Sequence, residues 1–355
     1  MKKTELTGKA QTVLGLIDAD SLGVTLPHEH LLTDLSAYFV EPPEASEKKM
    51  AHEPVGLENR WWVTSNPLNH ADNLKLTDEQ VAIKEAMMYQ MAGGNSIIEV
   101  SNNGLSRDPL GLARIARATG LNIVMGSGYY IKASHPPELA AKTEQEIADE
   151  IVQDILVGVG TTGVKAGIIG ELGCSLPLDE TEQKVLRAGA VAQRRTGAAI
   201  SIHPNLTDDL LLEIVKVLGD AGADLSRTII SHVDGFGYSP TVLRQVADAG
   251  CYLEYDTFGN TGIVNFGGQY LSSPSDMQRI DDIIQLIADG YLNNLLMAQD
   301  ICLKLSITAY GGSGYAHILR DILPVMRSRE VSDEQIQTML VENPKRVLPF
   351  VPSKE

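Results

Sequence analysis

Apolar runs of strand length alternate with amphipathic stretches of helix length along almost the whole chain. The runs fall at 22–27, 96–100, 122–126, 164–169, 198–202, 228–231, 251–255 and 295–298. The helical patterns lie near 78–92, 109–119, 143–157, 180–196, 207–219, 239–249, 276–290 and 316–328, with a last helix at about 333–342. Parallel strands require a crossover between them, and a helix commonly supplies it. Eight such units predict an α/β fold, a (β/α)8 TIM barrel. Runs such as Ser96-Ile97-Ile98-Glu99-Val100 are nearly continuously apolar, as strands covered on both faces are. An open doubly wound sheet would also alternate, but no Gly-x-Gly-x-x-Gly turn follows the first run. A strand at 11–18 precedes the barrel as a short N-terminal β extension. Residues 1–355 read as a single domain, with the barrel at about 20–345.

One connection breaks the pattern. Between Leu32 and Leu74, after strand one, there is no strong periodicity, but there are Pro42-Pro43, a charged run Glu47-Lys48-Lys49 and both tryptophans, Trp61 and Trp62. Long irregular inserts in compact domains are usually functional or mobile. In a barrel this one lies on the catalytic face, as a lid or pocket wall.

Composition narrows the partners. The net charge is −17 and no Lys/Arg run stands out, which argues against nucleic acid or an anionic membrane. No apolar run approaches the roughly 18 residues of a membrane span. Three scattered cysteines, Cys174, Cys251 and Cys302, form no disulfide framework and suit a reducing cytoplasm. The N-terminus lacks the apolar core of a signal peptide.

Chemistry in a barrel gathers where strands end. Strand one ends at His28 and His30, strand four at Glu171, strand five at His203, strand six at His232 and strand eight at Asp300. Residues two apart on a strand share a face, so His28 and His30 can meet one ion while Glu29 turns away. Imidazole and carboxylate suit zinc foremost, with manganese, iron or cobalt as alternatives. Six ligands exceed the need of one tetrahedral ion, which predicts two divalent ions per chain. We assign His28, His30 and Asp300 to one, His203 and His232 to the other, and Glu171 as the bridge. A shared hydroxide between the ions would attack, and Asp300 would carry its proton. His52, His70, His135 and His317 read as structural or solvated residues.

These motifs resemble the phosphotriesterase family of the amidohydrolase superfamily. The resemblance rests on Leu22 to His30, on Gly104-Leu105-Ser106-Arg107-Asp108, and on Thr119-Gly120-Leu121-Asn122-Ile123-Val124. It continues through Gly126-Ser127-Gly128-Tyr129-Tyr130, Lys165 to Gly173, Ile202-His203, Ser231-His232-Val233-Asp234 and Gln299-Asp300. It spans about residues 11–348 and implies a (β/α)8 barrel, a binuclear centre and a homodimer. Two departures stand out. Many members bridge their metals with a carboxylated lysine on strand four. Here Gly170-Glu171 stands there and Lys165 comes too early, so the chain is similar to the glutamate-bridged branch. Thr257 stands about where phosphotriesterases place a histidine that passes protons to solvent.

The resemblance implies hydrolysis of a small molecule, a lactone or carboxylic ester first. A phosphotriester or organophosphonate ester hydrolase is the alternative, and a non-catalytic binding protein on this fold a third reading. Tyr129 and Tyr130 resemble the tyrosine that lactonase-like members present near the metals. Arg107, Lys132 and Lys304 lie just beyond strand ends and could meet an anionic substrate group. Phe258 follows strand seven and is expected in the substrate pocket. Gly259, Gly262, Gly267 and Gly268 mark a flexible specificity loop there.

Overall fold

Eight parallel strands order the molecule: β1 (Thr25–Glu29), β2 (Ser96–Glu99), β3 (Asn122–Ser127), β4 (Ile168–Gly173), β5 (Ile200–His203), β6 (Thr228–Ile230), β7 (Tyr252–Tyr255) and β8 (Leu295–Met297). They lie side by side in sequence order from β1 to β8, as the alternation predicts. In this computed structural model, residues 6–235, 237–266 and 269–353 are described. The seam between β8 and β1 is closed by polar contacts. The Asp300 amide donates to the His28 carbonyl at 3.3 Å. The Glu29 carboxylate accepts from the amides of Gln299 at 2.8 Å and Ile301 at 2.9 Å. The architecture is the (β/α)8 barrel.

Local signals fix the helices. The helix Pro109–Thr119 begins at Asp108, whose side chain accepts from the Gly111 amide, and ends at Gly120 in the left-handed conformation, φ 74°. The helices Glu144–Leu156, Glu180–Thr196 and Asp276–Ala288 each start with a reciprocal capping box. Residues alternate along each strand, so Ile97, Ile123 and Ile169 pack outward against helices. Ile98, Val124, Ile168, Ile229 and Leu296 point into the barrel, where they meet Ala10 of an N-terminal hairpin, Lys9–Thr12 paired with Gly15–Asp18. The hairpin plugs the end where the strands begin, since the Val13 amide donates to the Ile123 carbonyl. Only the opposite mouth is left for a site.

Three segments differ from the sequence reading. Strand four runs over 168–173 rather than 164–169, because the Val164 carbonyl and Ala166 amide bond Val159 and Asp154 of the preceding segment instead of a strand. The 32–74 insert is not structureless. It contains helices Ala45–Ala51 and Arg60–Ser65, and its start pairs with its end through Thr33–Asp34 and Lys75–Leu76. The segment after β7 forms an antiparallel hairpin, Gly262–Phe266 with Gln269–Ser273, while Gly267 and Gly268 lie outside the described residues. Among the described residues no helix is long and apolar enough to cross a membrane.

Candidate metal centre

The six expected ligands meet at the mouth. His28 and His30 share a face of β1 and its extension, with ring centroids 5.6 Å apart. Glu171 lies inside β4, two residues before its end, rather than beyond the strand. Gly170 makes this approach feasible: at φ 120° a Cβ there would stand 2.2 Å from the Ser201 carbonyl. His203 ends β5, His232 follows β6 and Asp300 follows β8. Both His232 (φ 56°) and Asp300 (φ 45°) hold left-handed backbone conformations. Such strain persists where surrounding structure imposes it, and it clusters at functional sites.

Glu171 sits at the centre. Its Oε1 is 3.3 Å from His30 Nε2, and its Oε2 is 3.6 Å from His28 Nε2, 3.2 Å from His203 Nδ1 and 3.6 Å from His232 Nε2. Asp300 Oδ1 is 3.2 Å from His30 Nε2 and 3.7 Å from His28 Nε2. A carboxylate between two histidine pairs has the placement of a bridge. Two atoms test whether cations fit. His28 Nε2 and Glu171 Oε2 are buried and make no hydrogen bond. Buried polar atoms without partners are costly, and metal coordination is the partner these donors suit. His28, His30 and Asp300 offer ligand atoms within 4.8 Å of one another, as do His28, Glu171 and His232. The residues present therefore fit divalent ions.

A second ring of groups orients these side chains. His28 Nδ1 lies 3.1 Å from Ser231 Oγ and 3.2 Å from Glu254 Oε2. His30 Nδ1 is 2.9 Å from Ser101 Oγ, which donates to Glu99 at 2.6 Å. His232 Nδ1 lies 2.9 Å from Asp256 Oδ1, which also accepts the His232 amide. Carboxylates behind metal-binding histidines fix ring orientation and raise basicity. The sequence reading missed Glu254 and Asp256. Their spacing of two residues across the end of β7 carries the same signal as His28 and His30.

Electrostatics here favour positive charge. Burial opposes protonation of His28, but Glu171, Glu254 and Asp256 outweigh it and push the imidazole up to about 9. His30 is pushed up to about 10, with Asp300 and Glu171 overcoming burial. Burial would raise the Glu171 carboxyl, but the surrounding histidines, His28 foremost, hold it well below the usual range. Asp256 behaves oppositely: burial, only partly offset by His232, pushes it up to about 7.

The centre opens into a cavity of about 470 Å³, lined by His203, His232 and Asp300 on one side and by Leu35, Tyr38, Arg60 and Leu68 of the insert on another. The insert is a pocket wall. Tyr130 also lines it, its hydroxyl 3.3 Å from His203 Nδ1 and 3.0 Å from the Tyr38 hydroxyl. Tyr38 is a site residue the sequence reading missed, for lack of any periodic signal around it.

Other expected pocket residues are placed elsewhere. The Tyr129 hydroxyl donates to Glu150 at 2.7 Å, on the helix side of the barrel. The Arg107 side chain is buried and pairs with Asp154 at 2.9 Å and the Gly126 carbonyl at 2.8 Å. Lys132 binds Asp179 and Thr181, and Lys304 binds Asp72. Phe258 is a core residue, 1% exposed and 6.0 Å from the Arg279 guanidinium. Each is held by a partner that the sequence does not reveal. Thr257 does face the cavity, and its hydroxyl donates to Asp234 at 2.8 Å. The four remaining histidines bind protein groups: His52 to Glu41, His70 to the Asn73 amide, His135 to the Tyr130 carbonyl and His317 to Asp276 and Asp321.

Comparison with known proteins agrees with this barrel. A model of the phosphotriesterase family matches residues 8–348. The chain belongs to the phosphotriesterase family. It is 41% identical to an N-acetyltaurine hydrolase of Dictyostelium discoideum, over 98% of this chain and 100% of that protein. Among solved structures, a resiniferatoxin-binding protein from Rhodobacter sphaeroides is 34% identical with a TM-score of 0.92, covering 98% of this chain and 96% of that one. An organophosphorus hydrolase from Deinococcus radiodurans is 27% identical with a TM-score of 0.75, covering 96% and 97%.

Proposed function

We propose that this chain is a binuclear metal-dependent hydrolase that cleaves the acyl–nitrogen bond of a small N-acyl amine of the N-acetyltaurine kind. The observation that carries the proposal is the central Glu171 carboxylate, within 3.2 to 3.6 Å of four histidines and keeping a buried oxygen without a hydrogen bond. His28, His30 and Asp300 would hold one divalent ion, zinc foremost, and His203 and His232 the other, with Glu171 shared. Ions so held polarise a carbonyl and bring the pKa of water toward neutrality.

The chain's own groups do the rest. An amide leaves as an amine, so its nitrogen needs a proton more than an ester oxygen does. Asp300 reaches the histidine cluster and lines the cavity, and it can take a proton from water and pass it to that nitrogen. The Tyr130 and Tyr38 hydroxyls, set beside His203, can donate to a substrate oxygen. Glu254 and Asp256 keep His28 and His232 in register.

The amide reading replaces the ester expectation as the first choice because of the relatives' named substrate at about 40% identity. Tyr130 beside His203 favours a second reading, a lactone or carboxylic ester. The test is turnover by metal-loaded protein of N-acetyltaurine, N-acetyl amino acids, lactones, aryl esters and a phosphotriester, with Asp300→Asn as control. Amide turnover lost in Asp300→Asn is the expected result. Turnover of lactones or phosphotriesters alone overturns the amide reading, and turnover of nothing favours a binding protein.

A further inference from the structure

Arg60 is the one arginine or lysine among the described residues that line the cavity. It opens the helix Arg60–Ser65 of the insert, whose Thr64 lines the same cavity one turn on. Its guanidinium is pinned from one side: Nη1 donates to the Tyr310 carbonyl at 2.9 Å and Nη2 to the Gly311 carbonyl at 2.7 Å. Gly311, at φ 81°, leaves room for it, since a Cβ there would stand 1.8 Å from Nη1. No carboxylate among the described residues lies within 4.0 Å of it to form an ion pair. Arg107, Lys132, Lys304 and Arg279 all have such partners.

A guanidinium has five N–H donors, so two carbonyl bonds leave three. Carbonyls fix its position without cancelling its charge. A pre-positioned, uncancelled guanidinium facing a ligand cavity is suited to an oxyanion, which it can meet with two parallel hydrogen bonds. The cavity thus has two poles, the histidine–carboxylate cluster and a cation on the insert. We propose that Arg60 binds a terminal oxyanion of the substrate, so that the enzyme selects N-acyl amines ending in a sulfonate or carboxylate. This rests on the amide-hydrolase reading for the other end of the substrate. It also gives the insert a role: it carries the residue that tells charged substrates from uncharged ones.

The test compares wild type, Arg60→Met and Arg60→Lys, each metal-loaded and full-length. kcat/KM is measured for N-acetyltaurine, for N-acetyl-β-alanine and for an uncharged methyl sulfone analogue. The expected result is that Arg60→Met lowers the charged-to-uncharged ratio at least about tenfold, mainly through KM, and that Arg60→Lys restores part of it. The two charged substrates show whether sulfonate or carboxylate is preferred. An unchanged ratio overturns the proposal, including the case where both substrates fall together as the melting temperature drops, which marks a structural clamp. Ethanesulfonate binding, followed by calorimetry, needs no turnover. Weaker binding to Arg60→Met supports the proposal even where wild type cleaves no amide, and equal or absent binding overturns it.

Discussion

Two buried clusters of charge lie side by side at the barrel mouth, and they are built on opposite principles. In one, Glu171 and Asp300 stand among four histidines, with His28 Nε2 and Glu171 Oε2 left without hydrogen bonds. In the other, Asp234 is met by Arg279 at 2.7 Å, and both side chains are fully buried. Arg279 also donates to Asp276, Thr257 and Ser273, while Asp234 accepts from the amides of Asp256 and Thr257. The second cluster is satisfied within the protein. The first leaves two buried atoms without a hydrogen bond. A buried group with its partners present stabilises the fold, whereas buried groups held apart without partners mark where a ligand belongs.

That contrast predicts opposite responses to substitution. Glu171→Gln should lower kcat on the order of a thousandfold or more and reduce bound metal. Its effect on the melting temperature of metal-free protein should be small, because the attraction of the neighbouring histidines for the Glu171 charge is offset by the cost of burying it. Turnover kinetics, metal analysis and thermal unfolding read the three effects, and a metal-free variant destabilised as much as Arg279→Met would break the comparison. Arg279→Met should do the reverse, costing about 3–5 kcal/mol in urea unfolding because Asp234 is left buried and unpaired. A cost under about 1 kcal/mol would show that the second cluster is not structural.

Asp256 joins the two regions. Its side chain holds His232 and its backbone amide donates to Asp234. Asp256→Asn should reduce activity about 10–100-fold through metal affinity while preserving the fold. Loss of folding instead would place Asp256 wholly in the second cluster.

The smallest effect concerns His317, which pairs with Asp276 and Asp321 at 2.9 Å each. Burial opposes its charge, but the two carboxylates raise its pKa above the ordinary value. Stability from a raised histidine is fully present below its unfolded pKa of roughly 6.5 and fades as pH climbs through the folded value. His317→Gln should therefore cost about 1 kcal/mol at pH 6 and clearly less at pH 9, as read by denaturant titration. A pH-independent cost would show that packing, not the ion pair, is at work.

Much of this was legible from the chain. The β–α period yields the strand order, and caps such as Asp108-Pro109 with Gly120 place helix ends within a residue or two. The six residues that converge at the mouth were legible because strand ends share one rim whatever the side chains around them do. The anionic-substrate contacts were not. Arg107, Lys132 and Lys304 stand near strand ends as expected, yet each pairs with an acid on another element. Arg60 lay unmarked in an insert with no periodicity.

The sequence by itself determined the barrel and the rim on which imidazoles and carboxylates gather, because those follow from local periodicity and topology. Only the tertiary structure decided which charges are cancelled. Asp234 and Arg279 are 45 residues apart, and Arg60 reaches carbonyls 250 and 251 residues away. Whether a charge is spent on the fold or kept for a ligand depends on what lies within about 4 Å of it. In this chain those neighbours come from distant elements that packing alone brings together.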